Sequence, residues 1–314
     1  MTNAELIAWL MEGDVAIQYQ TSRDLLGIDN TYLRKQIVTQ GWGARFLACR
    51  QPNGHWGRGF YQPKWTSTHY TLLDLKNLGI WPHVPEIKET LQMIFENEKG
   101  ADGGINPHRE IIFSDVCISG MALNYGAYFG VDEKYLTSVV DYLLGEHMPD
   151  GGFNCQTSRS GATHSSVHTT LSVLEGINEY KKNEYKYRLD ELETAELASR
   201  EFLLMHRLFR SDKTGEIINP NFLKLCYPGR WYYDILKAMD YFQCASVGYD
   251  ERMQDAIDLL LKKRNRDGQW KLAANHPGQT HFEMEKAGKP SRWNTLRALR
   301  VLKWYGISTG SIGQ

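Results

Sequence analysis

Asp115, Cys117 and His168 are the residue types that hold zinc, and they sit where three side chains from two neighbouring segments can meet. Zinc takes thiolate, imidazole and carboxylate ligands in a tetrahedron, and a catalytic site keeps one position open. Two residues apart on a formed helix, side chains point about 200° away from each other. Asp115 and Cys117 therefore reach one ion only if Asp115 lies in the turn that precedes the helix, with Ser114 beside it as a capping residue. A plainer reading has Cys117 packed as a small apolar group, Asp115 as a helix cap and His168 as a core histidine. His164, four residues before His168, offers a rival imidazole. Cys155 is expected to stand outside the site.

The segment around Cys117 is one of a series. In Ser114–Leu123 small polar residues give way to an apolar run, as they do in Thr66–Leu75 and Ser165–Leu174. Anchored on the fourth residue of the segment, the register reads His69, Cys117 and His168, at spacings of 48 and 51. Weaker copies anchored on Tyr19, Tyr233 and Trp293 bring the total to six. A period near 50 residues points to repeats that bury one shared core, so residues 1–314 are expected to form a single domain.

Hydrophobic periodicity and Gly/Pro breaks predict twelve helices. They cover 3–12, 15–26, 31–50 with a kink at Gly41-Trp42-Gly43, 66–79, a run from Trp81-Pro82 through Phe95, and 114–128. The rest cover 132–145, 165–178, a segment ending near Phe209, 229–243, 250–264 and 291–305. The Lys-, Glu- and Tyr-rich stretch Glu179 to Glu193 reads as a solvated loop, and 210–228 as a long loop. Glycine-rich turns at Gln51–Gly57, Asp102-Gly103-Gly104, Asp150-Gly151-Gly152-Phe153 and Asp267-Gly268-Gln269-Trp270 precede members of the inner set. Alternating outer and inner helices, with the long loops at one end, predict an all-α (α/α)6 toroid of six hairpins. Its inner-helix N-termini would face one mouth and favour an anionic ligand group.

Lys plus Arg number 36 against 37 Asp plus Glu, which supports neither nucleic-acid binding nor an anionic membrane surface. Five cysteines without CxxC spacing, and a first segment lacking the basic-then-apolar order of a signal peptide, predict a reduced cytoplasmic setting. No apolar run reaches the roughly 20 residues of a membrane span. Nine Trp, 17 Tyr and 11 Phe suit an aromatic-lined cavity as well as a core, and Tyr19, Tyr233 and Trp293 fall on the inner ring in this register.

The glycine-aromatic turns ahead of inner helices resemble the repeat of the terpenoid cyclase and protein prenyltransferase β-subunit superfamily, over most of the chain. The acidic Asp-x-Asp-Asp motif of the cyclases is absent from the sequence. Asp115-Val116-Cys117 followed by His168 is instead similar to the zinc-ligand set of the prenyltransferases. The resemblance implies Zn2+ held by Asp115, Cys117 and His168, and a prenyl diphosphate met by Arg109 and His69. The family's Lys between that Arg and Asp is Ile112 here, and its Tyr after the Cys is Ile118. An isoprenoid or similar apolar anionic substrate is the implied ligand, and no feature requires a partner subunit. Two other functions fit the same sequence. One is a carbohydrate-active (α/α)6 barrel with acid and base among Glu110, Asp115, Glu283 and Glu285; the other is a toroid that binds a ligand without catalysis.

Overall fold

The computed structural model describes residues 1–108, 112–273 and 275–307. These residues are all-α in character, and their one two-stranded ribbon pairs Trp270–Lys271 with Pro290–Ser291. In chain order the helices are α1 (Asn3–Met11), α2 (Val15–Gln20), α3 (Thr31–Gln36), α4 (Gly41–Ala48), α5 (Thr68–Leu78), α6 (Pro85–Asn97) and α7 (Val116–Tyr128). They continue as α8 (Glu133–Gly145), α9 (Thr157–Ser160), α10 (Val167–Lys182), α11 (Leu189–Met205), α12 (Ile235–Cys244), α13 (Gln254–Lys262) and α14 (Arg292–Trp304).

Caps set most starts. Thr2 and Glu5 form a reciprocal capping box on α1, and Asp14, Asp115, Asp132, Asp234 and Ser291 accept from first-turn amides of α2, α7, α8, α12 and α14. Pro85 opens α6 as its first residue, three residues later than Trp81-Pro82 suggested. The helix expected over 31–50 is two, because the chain leaves helical geometry at Val38–Gln40 and Gly41 restarts it with a φ of +62°. Helix α2 passes into a π turn at Thr21–Leu25.

The chain divides into two compact units. The first combines Met1–Cys49, Asn77–Trp81 and His206–Gln314, and in it α14 packs on α12 and α2. A buried charge network ties these helices together. Arg300 reaches Asp240 at 2.5 Å, Asp24 at 3.0 Å and Gln20 at 3.1 Å, while Arg297 reaches Asp240 at 3.0 Å. Lys303 Nζ donates to the carbonyls of Asp24 and Leu25, the end of the π turn.

The second unit combines Arg50–Lys76 and Pro82–Met205, and its centre is the α7–α10 pair. Two glycines let these backbones touch. A Cβ on Gly120 would lie 2.8 Å from Val173 Cα, and one on Gly176 would lie 2.4 Å from the carbonyl oxygen of Gly120. The stretch expected to be a solvated loop, Glu179 to Glu193, is largely structured: α10 runs on through Lys182 and α11 begins at Leu189. Its tyrosines explain the difference. Tyr180 is fully buried and stacks on Tyr185, and Glu133 accepts from Tyr180 Oη and from the amides of Lys186 and Tyr187.

One turn geometry recurs in both units and governs how the chain enters the helices. In Gln51–His55, Gly100–Gly104, Met148–Gly152 and Asn265–Gln269, the first amide donates to the fifth carbonyl, and the fourth amide returns to the first carbonyl. The fourth residue is always glycine, at φ +85°, +88°, +93° and +86°. The residue after each turn, Trp56, Ile105, Phe153 or Trp270, is buried and donates its amide to a helix hydroxyl on Thr68, Ser119, Thr170 or Thr295. A fifth copy, unread in the sequence, lies at Ser211–Glu216. It is one residue longer, with Gly215 at φ +71° and an Arg210–Ile217 bridge matching Lys99–Ile105.

The helix starts test the anchor register. Helices α5, α7, α10 and α14 each begin one residue before His69, Cys117, His168 and Trp293. Tyr233 precedes α12 by two residues and Tyr19 lies within α2, so these two anchors are out of step with the other four.

A candidate metal centre at the start of α7

Two carboxylate-anchored turns assemble the site in the second unit. Asp102 accepts from Ser114 N at 2.8 Å and Ser114 Oγ at 2.5 Å, which pins the chain just ahead of α7. Asp150 does the same for Ser165 ahead of α10, at 2.8 and 2.5 Å. Asp115 N then donates to Ile105 O, and Ser166 N to Phe153 O. These matching bonds place Asp115 at the N-cap of α7, before the helix proper, as joint ligation with Cys117 requires.

The third member of the cluster is Cys155, not His168. Asp115, Cys117 and Cys155 present ligand atoms that all lie within 4.8 Å of one another. Asp115 Oδ1 accepts from Cys117 Sγ at 3.1 Å and from Cys155 Sγ at 3.0 Å. Cys155 Sγ also accepts from the Cys117 amide at 3.1 Å and lies 3.3 Å from Thr169 Oγ1. Cys155 was expected to stand aside because the helical register ignores the turns. It follows Phe153 by two residues, and the turn that buries Phe153 carries Cys155 to the first turn of α7. His168 is half-buried in the first turn of α10 and does not belong to the cluster, and the rival His164 is exposed.

Asp115 is buried, while Cys117 and Cys155 are residues of intermediate burial. The hydrogen bond with Cys155 is the main factor pushing the Cys117 thiol well above its ordinary range, joined by burial and by the Asp115 charge. A cation at this point would reverse that balance, because a thiolate is the ligating form. The donor set fits zinc: two soft sulfurs and one carboxylate leave a fourth tetrahedral position.

Aromatic side chains stand beside the cluster. The Tyr61 phenol is pushed up by burial and further by the acidic groups of Cys117, Asp115 and Cys155, and its Oη lies 3.3 Å from Tyr70 Oη. His69 is fully buried amid Phe60, Tyr61, Tyr70 and Tyr125, and its Nδ1 is 3.2 Å from Tyr125 Oη. Burial drives the His69 pKa down to about 3, with the Asp115 carboxylate pulling the other way, so the ring is neutral near pH 7. Its Nε2 is buried and has no hydrogen-bond partner among the described residues. In either tautomer one polar ring atom is left unpaired, at a cost of about 1–3 kcal/mol.

The other sequence-derived candidates fall elsewhere. Arg109 and Glu110 lie outside the described residues. Tyr19, Tyr233 and Trp293 are buried in the first unit. Tyr19 Oη reaches Asp29, Tyr233 Oη donates to Leu208 O, and Trp293 packs against Tyr227 and Trp42. Glu285 accepts from Ser291 Oγ and from the amides of Arg292 and Trp293, so it acts at the start of α14 as Asp102 does at α7. Ile112 is exposed and Ile118 fully buried. All five cysteines are free thiols, and no helix among the described residues is long and apolar enough to cross a membrane.

No protein-family model matches the chain, and no curated protein matches it.

Proposed function

We propose that this protein is a zinc-dependent transferase of the prenyltransferase-like kind, built on an (α/α)6 toroid and acting on an isoprenoid or similar apolar anionic substrate. The observation that carries the reading is the convergence of Asp115, Cys117 and Cys155 on one point at the start of α7. Asp115, Cys117 and Cys155 would hold the ion. Bound zinc supplies charge stabilisation and lowers the pKa of a thiol or water in the open position.

The remaining chemistry belongs to the chain. Asp115 orients both sulfurs through one carboxylate oxygen. Tyr61, Tyr70 and Tyr125 pack around His69 as an aromatic cluster, the residue type that would suit an apolar chain. Neutral His69 holds a buried polar atom in reserve for a ligand atom. By resemblance to the prenyltransferases, Arg109 would meet the diphosphate.

Calorimetric titration of the full-length protein with zinc, then with an isoprenyl diphosphate, tests the reading. One zinc per chain and diphosphate binding that His69→Ala weakens at least tenfold are expected. Zinc without diphosphate affinity would overturn the lipid-substrate reading, and no zinc uptake would overturn the enzyme class.

A further inference from the structure

We infer that Cys117 and Cys155 form a reversible disulfide that disables the metal centre, making the site a thiol redox switch. The consequence for metal rests on the zinc reading above; the disulfide itself does not. Both sulfurs sit within hydrogen-bond range of the same atom, Asp115 Oδ1, at 3.1 and 3.0 Å. Cys155 Sγ is also 3.1 Å from the Cys117 amide, so it lies close against the backbone that carries the second thiol. The two sulfurs lie within 4.8 Å of each other, close enough for a modest side-chain and loop adjustment to bring them to bonding distance.

Selectivity follows from placement. Cys117 and Cys155 are the two cysteines of their compact unit, since Cys49, Cys226 and Cys244 belong to the other. Both residues are of intermediate burial, neither surface cysteines nor fully enclosed ones. The two sulfurs are held by different supports. Cys117 is fixed on α7, while Cys155 lies in the loop between Phe153 and α9, where its amide bond to Thr169 Oγ1 is long at 3.4 Å. Disulfide formation requires the two sulfurs to close to about 2.05 Å, a movement that falls to the loop-borne Cys155.

The oxidant is a low-molecular-weight disulfide. One protein sulfur attacks it, forming a mixed disulfide and expelling one small thiol. The second protein sulfur attacks the mixed disulfide at the protein sulfur, forming the Cys117–Cys155 bond and expelling the other small thiol. Two electrons pass from the protein to the oxidant, and the two thiol protons end on the released thiols. The product has no thiolate at either position, so a bound metal loses two of its three protein ligands.

The full-length, metal-free protein is equilibrated in glutathione buffers of graded redox potential, alkylated and digested for mass spectrometry. The expected product is a 117–155 cross-linked peptide, lighter by two hydrogens, reversed by a dithiol and absent in Cys155→Ser. Glutathione adducts without the cross-link, or pairing with Cys49, Cys226 or Cys244, would overturn the inference. In parallel, zinc-loaded protein is treated with glutathione disulfide while a chromogenic chelator reports released metal. One zinc released per cross-link formed is expected. A cross-link in protein that takes up no zinc would remove the metal reading and leave the disulfide; bound zinc with no cross-link at any potential would do the reverse.

Discussion

Two carboxylates buried near helices, Asp240 in one compact unit and Asp115 in the other, are treated in opposite ways. Asp240 receives three charged hydrogen bonds from Arg297 and Arg300, and Arg300 in turn is shared with Asp24 and Gln20. Burial alone would raise the Asp240 pKa, but Arg300 and Arg297 outweigh it and hold the carboxyl down at about 2. Asp115 Oδ1 instead accepts from two thiols, beside a buried histidine whose Nε2 has no hydrogen-bond partner among the described residues. The first cluster closes its own electrostatics and holds α2, α12 and α14 together. The second keeps a buried polar atom, His69 Nε2, without a partner among the described residues, and buried groups left unmet in this way are candidates for chemistry rather than stability.

The largest expected effect breaks the closed cluster. Asp240→Asn leaves two guanidinium groups facing a neutral amide and should cost about 3–5 kcal/mol in urea unfolding at neutral pH. The pH dependence has a fixed sign. A folded-state pKa below the unfolded value of about 3.9 gives stability that is present above that pH and lost as pH falls toward 2. The acid limb between about pH 4 and 2 should therefore flatten in Asp240→Asn. An unchanged limb would mean the network does not operate as drawn.

Next comes the support of the open cluster. A methyl group at Gly176 would meet the Gly120 carbonyl at 2.4 Å, so Gly176→Ala must push α10 from α7. Thermal and urea melts should show a loss of about 1–3 kcal/mol. Because Cys117 is carried by α7 and Thr169, the partner of Cys155, by α10, zinc affinity should fall with it.

How far these features were readable differs by kind. Caps and breakers were legible because they act locally: Asp14 as an N-cap, Gly79 after α5, and Asp115 in the turn before α7 all stand where their chemistry implies. The repeat register held at His69, Cys117, His168 and Trp293, whose helices share one starting offset. It slipped at Tyr19 and Tyr233, whose helices start at the caps Asp14 and Asp234 and so fall at a different offset from the anchor. The turn at Ser211–Glu216 escaped notice because one inserted residue hides its Gly-aliphatic ending. Cys155 escaped for a deeper reason: helical periodicity says nothing about side chains delivered by loops, and only the hydrogen bonds of the Met148–Gly152 turn reveal its destination.

A smaller effect isolates those turns. Asp102→Ala removes the acceptor for Ser114 N and Oγ and should cost about 1–2 kcal/mol, with Asp150→Ala costing less because Ser165 is more exposed. Differential scanning calorimetry of both variants checks the order. Equal losses would show that the two turns do not differ in what they support.

Loop-borne Cys155 joins Asp115 and Cys117 in the group that could hold a metal ion, a group that does not include His168. Zinc dissociation constants of the wild type, Cys155→Ala and His168→Ala, measured by competition with a chromogenic chelator under reducing conditions, test it most directly. At least a hundredfold weakening is expected in Cys155→Ala and less than a threefold change in His168→Ala. Tight zinc in Cys155→Ala together with its loss in His168→Ala would contradict it.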